Sequence, residues 1–466
     1  MKIQQEETIS AISTPLGEGG IGMIRLSGGS AVEILKNIFR GPTGKERKRF
    51  QSHRVNYGFI VDDKGRKIDE VLATVMLSPL TYTREDVVEI SCHGSIATLK
   101  MILRRTIEAG ARMAEPGEFS KRAFLNGRID LVQAEAIIDL IRTKSAMGWS
   151  TAFSQLDGKL SLSMKELENK FIELIANIEM SIDFPEEEQE IIGNETIISK
   201  LQDMKGIMVN ITNTYVVGRI YREGIAVSIA GRPNVGKSSL MNALLQRERA
   251  IVSPLPGTTR DTIEETLHVE GVAIRIVDTA GLRESTDIAE SEGIRRAMKA
   301  VNESDIALIV FDGSRAITKE DTEIATKVRD ECSHLKSIIP VINKTDIEVI
   351  IDTNSITEMF NAEPVLISAK QGKGLDILKA RINKVIDRIG TRYDDGPVLT
   401  RERHYQKFML MEASITNAIS AISANRSREF AVSDLQEAKE ALDELTGKVV
   451  DASVIEKIFS EFCIGK

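Results

Sequence analysis

The chain has 466 residues, of which 42% are hydrophobic, and a formal net charge of −8. That length predicts two or three domains rather than one, and the acidic balance excludes a protein that grips nucleic acid by bulk electrostatics. Its three cysteines, Cys92, Cys332 and Cys463, are too few and too far apart for a disulfide framework or a C-x-x-C zinc site. The N-terminus lacks an apolar h-region and no apolar run is long enough to span a bilayer, so a cytoplasmic protein without a membrane span is expected.

Residues 1–120 mix short strand-like runs (Thr8 to Ile12, Ile21 to Leu26, Glu70 to Leu77, Asp86 to Ser91) with helical patterns at Ala31 to Phe39 and Ile96 to Ala109, predicting a compact α+β domain. Over 121–222 the pattern becomes helical. Met164, Leu167, Phe171, Leu174 and Ile178 fall at three- and four-residue spacing and predict one apolar face of a long helix ending near Pro185. Residues 223–388 alternate strand and helix as an α/β nucleotide-binding domain does. Helix returns over 389–466, where Leu435, Ala438, Leu442 and Leu445 mark another apolar face. Either helical segment alone leaves that face uncovered, so the two are expected to pack together as a discontinuous helical domain with the α/β domain inserted between them.

The inserted segment carries the chemistry. Ile225 to Ala230 is an apolar run, G-R-P-N-V-G-K-S follows from Gly231 to Ser238, and a helix-like stretch begins at Leu240. A glycine loop in that position turns backbone N–H groups around a phosphate chain, with Lys237 reaching the outer phosphates and the Ser238 hydroxyl placed for Mg²⁺. Asn234, Val235, Gly236, Lys237, Ser238 and Ser239 are the predicted contacts of this loop. The next contacts fall in Ser253, Pro254, Leu255, Pro256, Gly257, Thr258 and Thr259, a switch segment whose Thr259 is the natural second Mg²⁺ ligand. Asp278, Thr279, Ala280 and Gly281 form a D-x-x-G after a strand-like run, placing a carboxylate near the Mg²⁺ water and a glycine N–H near the γ-phosphate. Asn343, Lys344, Thr345 and Asp346 follow another apolar run. Asp346 can accept hydrogen bonds from both the ring N–H and the exocyclic amine of guanine, a donor pair adenine does not present. Ser368, Ala369 and Lys370 supply a backbone N–H for the guanine carbonyl. Four motifs in this order, each at a strand's C-terminal end, predict a Ras-like P-loop GTPase domain.

Leu282 stands after D-x-x-G, where Ras-like enzymes carry the glutamine that orients the attacking water. Another residue must do that work. Glu290 lies on the segment that follows, although from spacing alone it reads more strongly as a surface acid at a helix start. Asn234 and the backbone carbonyls of Ser253, Leu255 and Thr258 can enclose a monovalent cation beside the phosphates, the electrostatic role that an arginine finger takes elsewhere. Arg260 is an alternative finger and equally a structural ion pair.

G-R-P-N-V-G-K-S-S from Gly231, G-T-T-R-D from Gly257, D-T-A-G-L-R-E from Asp278 and the terminal Cys463-Ile464-Gly465-Lys466 together resemble the MnmE (TrmE) family of tRNA-modification GTPases. The likeness includes T-P-x-G-x-G-G-I-G-x-x-R-x-S-G from Thr14 and P-G-E-F-S-K-R-A-F-L-N-G-R-I-D-L from Pro116, so it covers essentially the whole chain. It implies an N-terminal tetrahydrofolate-binding and dimerising α+β domain, a helical domain in two segments and an inserted G domain. It further implies a homodimer, a heterotetramer with the FAD-dependent protein MnmG, and modification of the wobble uridine of certain tRNAs with a 5-formyltetrahydrofolate or related one-carbon folate. Hydrolysis in the family needs K⁺, which favours Asn234, Ser253, Leu255 and Thr258 as K⁺ ligands beside Mg²⁺ on Ser238 and Thr259. By the same likeness Glu290 becomes the water-positioning residue, catalytic with Lys237, and Arg25, Glu89, Arg128 and Lys466 line the folate pocket. Cys463 reads either as chemically active or as a small packed residue near the folate tail. A rival reading, a GTP-controlled switch in ribosome or RNA assembly, lacks an RNA module after the G domain.

Overall fold

The computed structural model describes residues 7–183, 192–246, 266–269, 272–277, 298–332, 335–388 and 396–466. The fold class is the one the sequence predicts: an N-terminal α+β part, a discontinuous helical part and an inserted Ras-like P-loop G domain. By its internal contacts the chain divides into two compact units. One comprises 1–138, 156–179 and 432–466, the other 139–155 and 180–431.

The first unit is built on a seven-stranded sheet of β1 (Ile9–Ile12), β2 (Gly19–Ser27), β3 (Phe39–Arg40), β4 (Arg54–Val61), β5 (Lys67–Met76), β6 (Val87–Gly94) and β7 (Arg112–Met113), in the order β3-β4-β5-β6-β2-β1-β7. All pairings are antiparallel except β1 with β7. Strand alternation sends Ile24, Leu26, Val88, Ile90 and Cys92 to one face, where they pack with Ile34, Leu35 and Ile38 of the helix Ala31–Ile38 and with Leu99 and Ile102 of the helix Ile96–Glu108. Arg25 and Glu89, on the other face, are register partners. The sequence reading found the runs that became β1, β2, β5 and β6 but not the short β3 and β7 or β4, which pairs with β5 in an antiparallel hairpin whose register shifts between Ile60 and Val61.

The C-terminal segment belongs to this unit. Ala123, Leu131, Ala134 and Ile138 are buried against Ile458, Phe459 and Phe462. The predicted helical face holds, since Met164, Leu167, Phe171, Leu174 and Ile178 are all buried along Lys159–Asp183. Leu435, Ala438, Leu442 and Leu445 are likewise buried in the helix Arg428–Thr446. Lys448 pairs with Glu168 across these helices.

The second unit contains a six-stranded sheet of β8 (Ile225–Ala230), β9 (Thr266–Val269), β10 (Val272–Val277), β11 (Ile306–Asp312), β12 (Ser337–Asn343) and β13 (Val365–Leu366), in the order β13-β12-β11-β8-β10-β9. Only the β9–β10 pairing is antiparallel. Central parallel strands are buried on both faces: Ile306, Leu308 and Val310 of β11 enter one core, Ala307, Ile309 and Phe311 the other. That double burial is why β8, β11 and β12 read as unbroken apolar runs. The helices Asn194–Thr212 and Glu402–Ser423, one from each helical stretch, pack together in this unit, with Lys205 Nζ donating to Thr416 Oγ1 at 2.9 Å and Thr212 Oγ1 to Glu412 at 2.5 Å. No helix among the described residues is long and apolar enough to cross a membrane.

Candidate functional site

The predicted phosphate loop joins β8 to the helix Lys237–Gln246, at the C-terminal edge of the parallel strands, where ligands of open α/β sheets bind. A side chain from another strand holds its backbone. Asn343, buried at the end of β12, donates from Nδ2 to the Val235 carbonyl at 3.0 Å and accepts the Ala369 N–H on Oδ1 at 3.0 Å. One amide therefore ties the phosphate loop, the N-K-T-D segment and the S-A-K segment together. Gly236 must be glycine here: its φ is +98°, and a Cβ would lie 2.2 Å from Asn343 Nδ2.

Lys237 Nζ donates to the carbonyls of Gly231 at 2.8 Å and Arg232 at 2.7 Å, which holds the amine inside the curve of the loop. Burial pushes its pKa down. Ser238 is half-buried and Ser239 exposed in the first turn of the helix, where the helix's free N–H groups favour an anion. Asn234 is exposed and takes a left-handed φ of +62°, a conformation in which asparagine is enriched among non-glycine residues.

Asp346 is fixed on the same edge. Its Oδ1 accepts from the Ser368 hydroxyl at 2.7 Å, and Ser368 Oγ in turn accepts the Gln371 N–H at 3.1 Å. The Ser368 hydrogen bond is the main cause holding the Asp346 carboxyl below its ordinary pKa. Lys344, in a left-handed conformation with φ of +67°, reaches Asp312 Oδ2 at 2.7 Å. Burial opposes ionisation of Asp312, but the hydrogen bonds from Lys344 and Ser314 outweigh it and hold the pKa at about 2. The Thr345 N–H donates to the Ile367 carbonyl at 3.2 Å. Asp312 was not found by sequence reading; it closes the apolar run of β11, and its position at a strand's C-terminal end was the available signal.

Of the remaining predicted nucleotide residues, Ser253, Pro254, Leu255, Pro256, Gly257, Thr258, Thr259, Asp278, Thr279, Ala280, Gly281 and Glu290 lie outside the described residues.

A second cluster forms in the first unit. Arg25 and Glu89 pair at 2.7 Å across β2 and β6. The chain's end is drawn to them: Ile464 makes an antiparallel bridge with Pro116, and the Gly465 carbonyl accepts from Ser13 Oγ at 3.1 Å and from Arg25 Nη1 at 3.4 Å. Lys466 thus lies within the field of Arg25 and Glu89, and burial, reinforced by Arg25, lowers its pKa. The Arg128 guanidinium stands 4.8 Å from the centre of the Tyr82 ring, and Arg25 stands 5.8 Å from the same ring. Tyr82 itself is anchored through its hydroxyl to Ser120 Oγ at 2.7 Å. Arg25 and Arg128 thus share the Tyr82 ring, while Glu89 and Lys466 join the cluster through Arg25; sequence reading missed Tyr82 because nothing in its local pattern sets it apart. Cys463 is exposed beside this cluster.

The helix Glu118–Leu125 that leads to Arg128 is set by ion pairs. Arg122 bonds Glu118 at 3.0 Å and Glu85 at 3.0 Å, and Arg112 bonds Glu118 at 2.6 Å. Burial raises the Glu118 pKa, but the bonds from Arg112, Glu115 N–H and Arg122 bring it down to about 2.

A family model described as the GTP-binding protein TrmE N-terminus matches residues 8–128, and one described as the MnmE helical domain matches residues 131–463. Over 464 residues the chain is 42% identical to the tRNA modification GTPase MnmE of Acetivibrio thermocellus, covering 99% of this chain and 100% of that one. It is 40% identical over 463 residues to the proteins of the same description from Alkaliphilus oremlandii, covering 99% of both chains, and from Bacillus subtilis, covering 99% of this chain and 100% of that one.

Proposed function

The chain belongs to the MnmE family of tRNA modification GTPases, and we propose that it works as a K⁺-dependent GTP hydrolase that adds a carboxymethylaminomethyl or aminomethyl group to C5 of the wobble uridine of certain tRNAs. A GTP hydrolase taking part in tRNA modification follows from the family itself. The finer statement includes a homodimer, an FAD-dependent MnmG partner in a heterotetramer, a one-carbon folate such as 5-formyltetrahydrofolate, and a cytoplasmic setting. Residues 1–120 would form the folate-binding and dimerising domain, 121–222 and 389–466 the helical domain, and 223–388 the G domain.

The observation that carries this reading is the hydrogen bonding of Asn343, because it brings the phosphate loop, the N-K-T-D segment and the S-A-K segment into one rigid edge. A guanine nucleotide spanning from Asp346 to Lys237 would touch all three. Lys237 would compensate the outer phosphates, and the first-turn N–H groups after Gly236 would receive phosphate oxygens. Ser238 and Thr259 would hold Mg²⁺. Asn234, with the carbonyls of Ser253, Leu255 and Thr258, would hold K⁺, and the exposed left-handed turn at Asn234 fits that role by leaving its side-chain amide free of the packed loop. A cation there supplies positive charge where negative charge develops between the β- and γ-phosphates. The Arg25, Glu89, Arg128, Lys466 and Tyr82 cluster has the donor set a folate needs: cations for its carboxylates, a carboxylate for pterin N–H groups and a ring to stack on.

Nucleoside mass spectrometry of tRNA from cells lacking the gene tests the function. The expected result is loss of the modified wobble uridine, restored by the intact gene; unchanged wobble uridines would overturn the assignment. For Glu290, placed at the water by family resemblance, Glu290→Ala is expected to bind GTP nearly normally and to hydrolyse it about 10²-fold more slowly, the scale of losing a catalytic positioner. Single-turnover hydrolysis beside fluorescent-nucleotide binding checks this, and an unchanged rate returns Glu290 to an ordinary surface acid.

A further inference from the structure

A glycine phosphate loop grips phosphate through its backbone and makes no demand on the side chain at its first x position, yet the side chain there, Arg232, is largely buried, 13% exposed. The guanidinium leaves the loop, donates from Nη1 to Glu320 Oε2 at 3.3 Å and forms an ion pair with Asp321, its Nε lying 3.0 Å from Oδ1 without the alignment of a hydrogen bond. Both acids stand in the first turn of the helix Lys319–Glu331. Asp321, itself 7% exposed, divides its two oxygens between two tasks. Oδ2 closes that helix's capping box by accepting the Thr318 N–H at 3.0 Å and hydroxyl at 2.8 Å, leaving Oδ1 for Arg232. The acceptor is therefore rigid before Arg232 meets it. The carbonyl of Arg232 is in turn one of the two that hold Lys237 Nζ.

We propose that Arg232 is a positioning residue for nucleotide binding: its ion pair with Asp321 and Glu320 pins the first turn of the phosphate loop and, through the Arg232 carbonyl, presets Lys237. The inference rests on the reading of Gly231 to Ser238 as the GTP phosphate loop. Because the pin acts before the ligand arrives, its loss is an ordering penalty collected at the binding step. Once the phosphates fill the loop, they fix the same N–H groups and the same lysine, so ground state and transition state weaken together. That pattern raises KM and leaves kcat unchanged.

The test uses the full-length protein with Arg232→Gln, Asp321→Asn and the double variant, measuring fluorescent GTP and GDP affinity and steady-state GTP hydrolysis. Arg232→Gln is expected to weaken both nucleotides about tenfold, within the range of coupled pairs, with kcat at saturating GTP within about twofold of the parent. Arg232→Lys should recover part of the loss by restoring one charge without the guanidinium geometry. The double variant should be no weaker than Arg232→Gln alone. Thr318→Ala keeps the backbone N–H bond to Asp321 Oδ2 and loses only the hydroxyl bond, so it should lower Tm and weaken nucleotide binding less than Arg232→Gln does. Unaltered affinity in Arg232→Gln, a matching fall in kcat, or additive losses in the double variant would each overturn the pin. If the parent protein fails to bind GTP, the phosphate-loop reading falls and the pin with it; if the parent binds and Arg232→Gln binds equally, only the pin falls.

Discussion

Asp346→Asn is expected to lose its preference for guanine and to gain xanthine nucleotides. The carboxylate is held by the Ser368 hydroxyl at 2.7 Å, and Ser368 is fully buried, so the acceptor is fixed in place before a base arrives. Guanine presents two N–H donors to it. In the asparagine variant one oxygen becomes an NH₂, and one of the base's donors then faces another donor. Leaving a desolvated donor unpaired costs about 1–3 kcal/mol, more where the lost partner was charged, and sites built on such hydrogen bonds discriminate by about 10⁴ or more when the bonds are complete. Xanthine carries a carbonyl where guanine carries its amine, so it accepts from the new NH₂ and restores the match. Asparagine keeps an oxygen for the Ser368 hydroxyl, Ala369 and the phosphate loop are untouched, and the expected result is therefore an exchange of specificity of about 10² or more rather than a general loss. Competition of GTP and xanthosine triphosphate against a fluorescent guanine nucleotide measures it. A variant that keeps full guanine preference would remove Asp346 from base recognition.

The nucleotide site was legible in the sequence to the extent that its parts are local. The loop Gly231 to Ser238, Asn343 to Asp346 and Ser368 to Lys370 each occupy consecutive positions after an apolar strand, and the parallel sheet places every strand end on one edge. What spacing could not convey was which side chain joins them. Asn343 belongs to a guanine motif by spacing, and its bonds to Val235 and Ala369 depend on the order β13-β12-β11-β8, which brings the ends of β13 and β8 within reach of β12. Arg232 and Asp312 escaped for the same reason, because their partners Asp321 and Lys344 belong to other elements.

The cluster around Tyr82 was less legible still. Arg25 and Glu89 are 64 positions apart and meet only through the β2–β6 register, and Lys466 reaches them only because Ile464 and Gly465 fasten the chain's end to Pro116, Ser13 and Arg25. Family resemblance named those four residues where periodicity had nothing to say. Resemblance did not name Tyr82, whose role as the ring shared by two arginines is visible only in three dimensions.

The insertion of the nucleotide domain makes a second large prediction. The chain runs into β8 from the helix Tyr215–Glu223 and returns through Val398, Leu399 and Thr400. The two passages are joined closely: Leu399 N–H donates to Thr214 Oγ1 at 3.0 Å, and a Cβ on Gly218 would lie 2.1 Å from the Leu399 carbonyl. Gln155 adds bonds to the Val398 carbonyl at 2.8 Å and the Thr400 hydroxyl at 3.1 Å. At the centre is Asp139, with its side chain 8% exposed. Its Oδ1 accepts from Arg222 Nε on the outgoing passage at 3.0 Å and from Arg401 Nη2 on the returning one at 2.7 Å. One carboxylate thus accepts from two arginines far apart in sequence, and Glu223 supplies Arg222 with a second acid at 3.0 Å. Asp139→Ala removes their common acceptor while Arg401 stays largely desolvated and Arg222 keeps Glu223, and breaking a buried pair costs about 3–5 kcal/mol. Asp139→Asn keeps the acceptor oxygen but not the charge, so its loss should be smaller. The first transition in urea is expected to move to markedly lower concentration in Asp139→Ala, with an intermediate shift in Asp139→Asn. Nucleotide affinity below that transition should be unchanged, since Asp139 bonds none of the residues around Lys237 or Asp346. A shift equivalent to less than about 1 kcal/mol would mean that the bonds of the Leu399 N–H and the Gln155 side-chain amide close the junction without the ion pairs, and that Asp139 is dispensable to the insertion.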